Sequence, residues 1–357
     1  MMRVNILLLA TISLLTACSQ AERRSAASSD HDHHASHMID VKPDEQGRLL
    51  YGMKHEMDAE MLAELKEKPV FSGYTDEQLV KVMSLMGPNY TWPVSDPGMS
   101  AKKGALILVH GFGGHGDAVL RNQLSPTSER QPTTLAIGMS MMTSDHIQAG
   151  IQTLEDSGAR KIVVVPVVST RHNTLMRQWD FIFGLNDTPE YGRVPQVTSS
   201  AKLKIVEPLD DHPLVGEILV DYANEISTDP AREEVIIVGH GPVDDDDNRE
   251  QLALMENLAD YLRAEKRFAA VHVASLQDDA PREVRMARIR ELRERVFRAN
   301  QNGRDVLIVT NLLGTRIVQS GLRRALSGLD YKFNSKGLIE HENFIQWITA
   351  SIDDGLN

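Results

Sequence analysis

The chain has 357 residues and a formal net charge of −12 at pH 7. That length can bury two cores of ordinary domain size, and 41% apolar residues are enough to fill them. The acidic balance argues against a nucleic-acid partner, and the single cysteine, Cys18, excludes an intramolecular disulfide.

The chain opens with Arg3, an apolar run over residues 6–15, and then Leu15-Thr16-Ala17-Cys18. This stretch is too short for a comfortable membrane-spanning helix. It resembles a bacterial lipoprotein signal, whose lipobox has the form Leu-x-Ala-Cys. The resemblance implies removal of residues 1–17 and lipidation of the Cys18 thiol, which anchors the mature chain by acyl groups. Ser19 after the cysteine implies, by analogy with enterobacterial lipoproteins, the periplasmic side of the outer membrane. Residues 18–48 are polar and without an apolar period, so they predict a flexible tether. Within it DHDHHASH places His31, His33, His34 and His37 among aspartates. Such a tract is either an accessory collector of divalent transition metals or a plain solvated linker.

Residues 49–100 predict a helical preamble. DAEMLAELKEK and TDEQLVKVMSLM carry apolar residues at helical spacing, and PNYTWPVSDPG is expected to break the chain after them. A first lobe is expected over 101–228, with strands at 105–109, 134–138, 161–167 and 203–206 and helices at 144–156, 173–183 and 213–226. A second lobe is expected over 229–357, with strands at 234–238, 269–274 and 306–310 and a weaker one near Tyr331. Its clearest helix starts at Pro281, with Asp279 as a capping candidate, and closes at Gly303. Short β-rich runs alternating with helical segments predict an α/β fold. Its two lobes are each a mainly parallel sheet flanked by helices, facing each other across a cleft.

The two lobes repeat one another. LILVHGFGGHG places His110 after a buried strand, and VIIVGHGPVDDDDN places His240 after its counterpart. SGARKIVVVPVVSTRH and NGRDVLIVTNLLGTR are a second matching pair, and the first of them ends on His172. In open parallel sheets ligands gather at the carboxyl ends of strands, so the three imidazoles are expected to converge there. Neutral imidazole suits cobalt, iron, nickel and zinc. Glu207 in KIVEPLDDHP ends another strand and is a candidate base or ligand, with a solvated loop carboxylate as the alternative. Asp244–Asp247 reads as a solvated loop with N-cap preference. His55, His146, His212, His272 and His341 read as structural.

The pattern strand-HG, then GA-x-x-IVVVP with S-x-x-H, then E-P-L with H-P, resembles the class II tetrapyrrole chelatases. That family includes the sirohydrochlorin cobaltochelatases and ferrochelatases of cobalamin and siroheme synthesis. The resemblance covers about residues 104–350, in the double-length form with both lobes on one chain. It implies insertion of a divalent metal substrate (Co²⁺, Fe²⁺ or Ni²⁺) into a dianionic macrocycle, a lyase reaction that needs no nucleotide. His110 and His172 match the family's site histidines, and the second lobe adds His240. The fourth position of a symmetric set falls near Thr315 or Arg316 and holds no histidine. A polycarboxylate substrate implies cations in the cleft. Arg171, Arg177 and Arg316 are candidates because guanidinium grips carboxylate in a fork, and His115 is expected to border the site.

Two other readings compete. A chelatase works where tetrapyrroles are made, in the cytoplasm, whereas the lipoprotein signal points outside the inner membrane. A non-enzymatic lipoprotein is therefore the main alternative, one that binds metal or tetrapyrrole and hands ions or a corrinoid to a transporter. VHGFGG also resembles the oxyanion segment of α/β-hydrolases, but the nearest elbow, Gly138-Met139-Ser140-Met141-Met142, lacks the second glycine.

Overall fold

The computed structural model describes residues 41–51, 59–68, 71–85, 88–265, 267–314 and 317–357. Cys18 and the histidine tract at 31–37 therefore lie outside the described residues, as do His55, Thr315 and Arg316. No described helix is long and apolar enough to cross a membrane.

The strands in chain order are β1 (Leu49–Tyr51), β2 (Asn89–Pro93), β3 (Lys103–Val109), β4 (Thr133–Ile137), β5 (Lys161–Val167), β6 (Lys202–Ile205), β7 (Glu233–Gly239), β8 (Ala270–Ser275), β9 (Asp305–Asn311) and β10 (Lys332–Phe333). They form a six-stranded sheet ordered β1-β2-β4-β3-β5-β6 and a four-stranded sheet ordered β10-β9-β7-β8. Every pairing is parallel except β1 with β2 and β2 with β4. The helices are α1 (Ala59–Lys66), α2 (Asp76–Leu85), α3 (Gly113–Gln123), α4 (Ser125–Ser128), α5 (Asp145–Asp156), α6 (Thr174–Ile182), α7 (Pro213–Ile226), α8 (Asp245–Ala264), α9 (Arg282–Gln301), α10 (Ile317–Ala325) and α11 (Glu342–Leu356). The α/β class and the paired parallel-rich sheets agree with the expectation from sequence.

The segment expected to break the chain at 88–98 instead contains β2. Tyr90, Thr91 and Trp92 are aromatic or β-branched and buried, and the prolines fall at the ends of the run, where no ladder bond is lost. Residues 49–100 are thus not a purely helical preamble, since β1 and β2 extend the first sheet.

Strand alternation divides the interior into layers. Ala105, Ile107, Val109, Val163, Val165 and Val167 face a central core, together with Val235, Ile237, Leu307 and Val309 of the second sheet. The intervening residues Leu106, Leu108, Ile162 and Val164 face an outer core against α1, α2, α5 and α6. Ile236, Val238, Val306 and Ile308 face a third core against α9 and α10.

The halves do not close where the repeated sequence does. Helix α7, at the end of the first repeat, packs on β9 and α8 of the second half. Helix α11, at the end of the second repeat, packs on β5 of the first. Phe344, Trp347, Ile348 and Ile352 are fully buried there, and a side chain of this kind contributes about 1.5–3 kcal/mol by burial. The contact is close enough that a Cβ on Gly355 would overlap Val163. Gly355→Val is expected to destabilise the fold by about 1–3 kcal/mol, seen as a lower urea midpoint; an unchanged midpoint would show that α11 adds little to the central core.

Glu233 fixes the start of β7. Its side chain is fully buried, and burial alone would raise its pKa, yet the Ser227 hydroxyl, the N–H groups of Thr228 and Asp229, and Lys332 hold it down to about 2. A depressed carboxyl stabilises the fold above its unfolded pKa, and that contribution is lost as pH falls through the folded value. Glu233→Gln is therefore expected to weaken the fold at neutral pH and to flatten its acid-unfolding curve between pH about 4.5 and 2.

Candidate functional site

The repeated His-Gly pair has a backbone cause. His110 follows β3 and His240 follows β7. The next residues, Gly111 and Gly241, take φ values of 102° and 81°, a region that side-chain-bearing residues avoid. A Cβ on Gly241 would also collide with Ser275. The glycine turns the chain off the strand and leaves the imidazole at the carboxyl end of the sheet.

Both imidazoles line one cavity of about 370 Å³ between the ends of the two sheets. Its other walls come from the loops after β5 and β9 and from the starts of α6 and α10. Phe112, Met139, Val168, Leu312, Leu313 and Val318 make much of that wall apolar. His110 is exposed to the cavity, and the Phe112 ring stands edge-on to it at 5.1 Å. The Phe112 N–H donates to Asp117 Oδ1 at 2.6 Å, and the Tyr90 hydroxyl donates to Asp117 Oδ2 at 2.7 Å. A buried carboxylate thus pins the turn after His110. The surrounding protein desolvates the His110 ring, and a positive charge on His240 opposes its protonation, so its pKa lies below the ordinary imidazole range. His110 is therefore neutral at pH 7, with a lone pair available.

His240 Nδ1 lies 3.1 Å from the Gly241 carbonyl. A carbonyl only accepts, so Nδ1 carries hydrogen and Nε2 is left for a ligand or a proton. Asp279 Oδ2 lies 3.6 Å from Nε2, close enough to stabilise a cation there. Asp279 also lines the cavity, although the sequence suggested only a capping role for it. The cap position of α9 is Pro281, with no side-chain cap bond. The signal for Asp279 was its place in the loop after β8, one strand over from His240.

These elements match solved structures. No family model matches the sequence, and no curated protein matches it. SirB from Bacillus subtilis with Fe³⁺ aligns at a TM-score of 0.54 and 14% identity, over 71% of this chain and 96% of that one. The sirohydrochlorin chelatase SirB from Bacillus subtilis subspecies spizizenii, in complex with cobalt, aligns at a TM-score of 0.51 and 12% identity, over 71% and 95%. The chain has a chelatase-like fold. At these identities the likeness is one of architecture.

On this scaffold the expected convergence of three histidines does not occur. His172 is half-buried and is not on the cavity wall, although Thr170 and Asn173 on either side are. The cause is local. The Arg171 N–H and guanidinium bind Asp210 at 2.7 and 2.6 Å, which draws residues 171–172 toward the β6–α7 loop. Asn173 meanwhile caps α6 by accepting from the Met176 N–H. Among the described residues no group of three or more His, Cys, Asp or Glu side chains could hold a metal ion.

The polar candidates also sit elsewhere. Glu207 is exposed and pairs with Arg171 at 3.0 Å, and neither lines the cavity. Arg177 pairs with Glu190 at 2.9 Å and with Asp247 of the other half at 2.8 Å, so its charge is spent on structure. His115 is exposed on α3, off the wall, while Phe112 and Gly113 take the place expected for it. Among the described residues no lysine or arginine lines the cavity, and Asp279 is its one carboxylate.

Other histidines have structural roles. His146 is buried and held down to about 3 by desolvation, and His272 faces Glu234 at 3.4 Å. His212 and His341 form a repeat pair that the sequence did not reveal, since each caps a crossing helix by accepting a backbone N–H, at α7 and α11 respectively. Asp244 caps α8, in line with its expected preference. Ser140, the nearest match to a hydrolase nucleophile, is fully buried, and its Oγ accepts from the Trp179 indole.

His240→Ala is expected to raise the His110 titration midpoint without bringing it up to the ordinary value of about 6.5, because the surrounding protein still desolvates the ring. Histidine ring-proton shifts followed against pH measure this. An unmoved midpoint would show that the two rings do not share a field.

Proposed function

We propose that the protein inserts a divalent metal ion, Co²⁺, Fe²⁺ or Ni²⁺, into a sirohydrochlorin-type tetrapyrrole held in the cleft, without a nucleotide. One observation carries the reading: two imidazoles from equivalent strand ends open on the same largely apolar cavity. An apolar wall suits the faces of a planar ring. The neutral His110 and the Nε2 of His240 suit a borderline metal ion. Insertion replaces two pyrrole N–H protons with the ion, so the site must hold the ion and accept protons. In this reading His110 gives the metal a nitrogen ligand on one face of the ring. His240, backed by Asp279, takes up one released proton, and solvent water takes the other. The fold-level likeness to SirB, solved with Fe³⁺ and with cobalt, supports it.

The second reading is a carrier of metal or tetrapyrrole on the same scaffold, handing its cargo to a transporter. It gains from the absence of lysine and arginine among the described cavity residues, which leaves a polycarboxylate little to grip. The Leu15–Cys18 motif supports lipidation at Cys18 and a periplasmic, membrane-tethered location, and the histidine tract at 31–37 supports metal capture under either view.

Anaerobic absorbance of purified protein with sirohydrochlorin and Co²⁺ or Fe²⁺ distinguishes the two. Insertion faster than the spontaneous rate supports the enzyme. Tight metal binding with no acceleration supports the carrier. His110→Ala and His240→Ala are each expected to lower the insertion rate by about a hundredfold or more, and His172→Ala to change it only a few-fold. Loss of activity in the His172 variant alone would overturn the site.

A further inference from the structure

The cavity floor differs between the two halves in a way the fold does not require. In the first half Val109 of β3 pairs in register with Val167 of β5, and both are fully buried in the central core. The matching register pair in the second half is Gly239 of β7 with Asn311 of β9. The missing side chain at Gly239 makes room for Met255 and Gln251 of α8, whose Sδ and Nε2 would lie 2.8 and 3.3 Å from a Cβ built there. Two carboxamides therefore converge on the cavity where the sister half has valines. Both side chains are only 2% exposed and both line the cavity. Gln251 Oε1 and Asn311 Oδ1 have no hydrogen-bond partner. Buried acceptors left without partners cost free energy, and the valines opposite show that the scaffold works without them.

We propose that Gln251 and Asn311 form a subsite for a carboxamide on the rim of the bound macrocycle. This rests on the macrocycle reading above and narrows its substrate class to an amidated relative of sirohydrochlorin, since the polycarboxylate itself offers no rim carboxamide. An unpartnered carbonyl oxygen needs a donor, and an ionised carboxylate has none. A ligand carboxamide carries donor and acceptor side by side, so it satisfies either orientation of the Asn and Gln amides. An ammonium would also donate, but it would enter a mostly apolar floor opposite neutral groups, where desolvation opposes it. The lack of lysine and arginine among the described cavity residues agrees with a neutral rim group.

The test is calorimetric titration with two probes: a cobalt corrinoid with its rim carboxamides intact, and the same corrinoid with those groups hydrolysed to carboxylates. The amide form is expected to bind about tenfold tighter, equivalent to about 1.4 kcal/mol. Asn311→Val, which copies the sister half, and Gln251→Leu should each erase most of that ratio by weakening the amide form alone. Free of ligand, the Asn311→Val protein should melt at a higher temperature than the parent, because an orphaned polar group has gone. Equal or tighter binding of the acid form, or a lower melting temperature for Asn311→Val, overturns this inference and leaves the macrocycle reading standing. Binding of neither probe also overturns this inference, and the macrocycle reading then stands or falls on the metal-insertion assay above.

Discussion

The exchange of helices α7 and α11 between the two halves is the constraint on which the site depends. Each repeat ends on a helix whose apolar face is buried against the other repeat. Neither sheet can cover its inner face with its own sequence alone, so the central core is shared. That shared core holds the carboxyl ends of β3 and β7 at a single cavity. The histidine caps at His212 and His341 fix where the crossing helices begin, and Tyr222 ties α7 to the Gly337 carbonyl of the second half. The cavity is thus a consequence of topology and not of loop conformation alone.

Electrostatics then selects what the cavity can do. Desolvation and the neighbouring His240 hold the His110 pKa below the ordinary range, so at neutral pH that ring presents a lone pair. Asp279 stands beside only one of them. The arrangement is asymmetric although both rings follow parallel strands at a His-Gly turn, and it suits His110 and His240 to different tasks. Among the described residues, the two arginines expected to grip carboxylates are paired instead with acids, Arg171 with Asp210 and Glu207, and Arg177 with Glu190 and Asp247. Arg177 with Asp247 links the halves through α6 and α8, so that charge supports the architecture. What remains on the described wall is apolar surface, two imidazoles, one carboxylate, a few amides and the hydroxyls of Ser169, Thr170, Thr174 and Tyr191.

The repeated strand-His-Gly pattern explains why so much of this was legible. The strands β3, β5, β7 and β9 are near-continuous apolar runs bounded by glycine, and buried parallel strands read that way in any context. The His-Gly pairs were visible because a strand that must turn sharply into a helix needs glycine after its last residue. Hidden were features that depend on a partner distant in sequence. The run Asn89–Pro93 looked like a chain break because its prolines outweighed three residues of strand character, and only pairing with β4 makes it a strand. His172 looked like a ligand because spacing placed it at a strand end. The Arg171–Asp210 contact that turns it aside spans 39 residues.

The sequence alone determined the layered α/β class, the strands that build the two sheets, and the place of His110 and His240 at strand ends. Those properties follow from local periodicity and backbone stereochemistry, which act within a few residues. Only the tertiary structure decided which histidines share a cavity, that Arg171 and Arg177 are consumed by acids, and that each half lends its last helix to the other. Those outcomes depend on side chains meeting across tens to hundreds of residues, where packing and charge pairing, not local propensity, set the free energy.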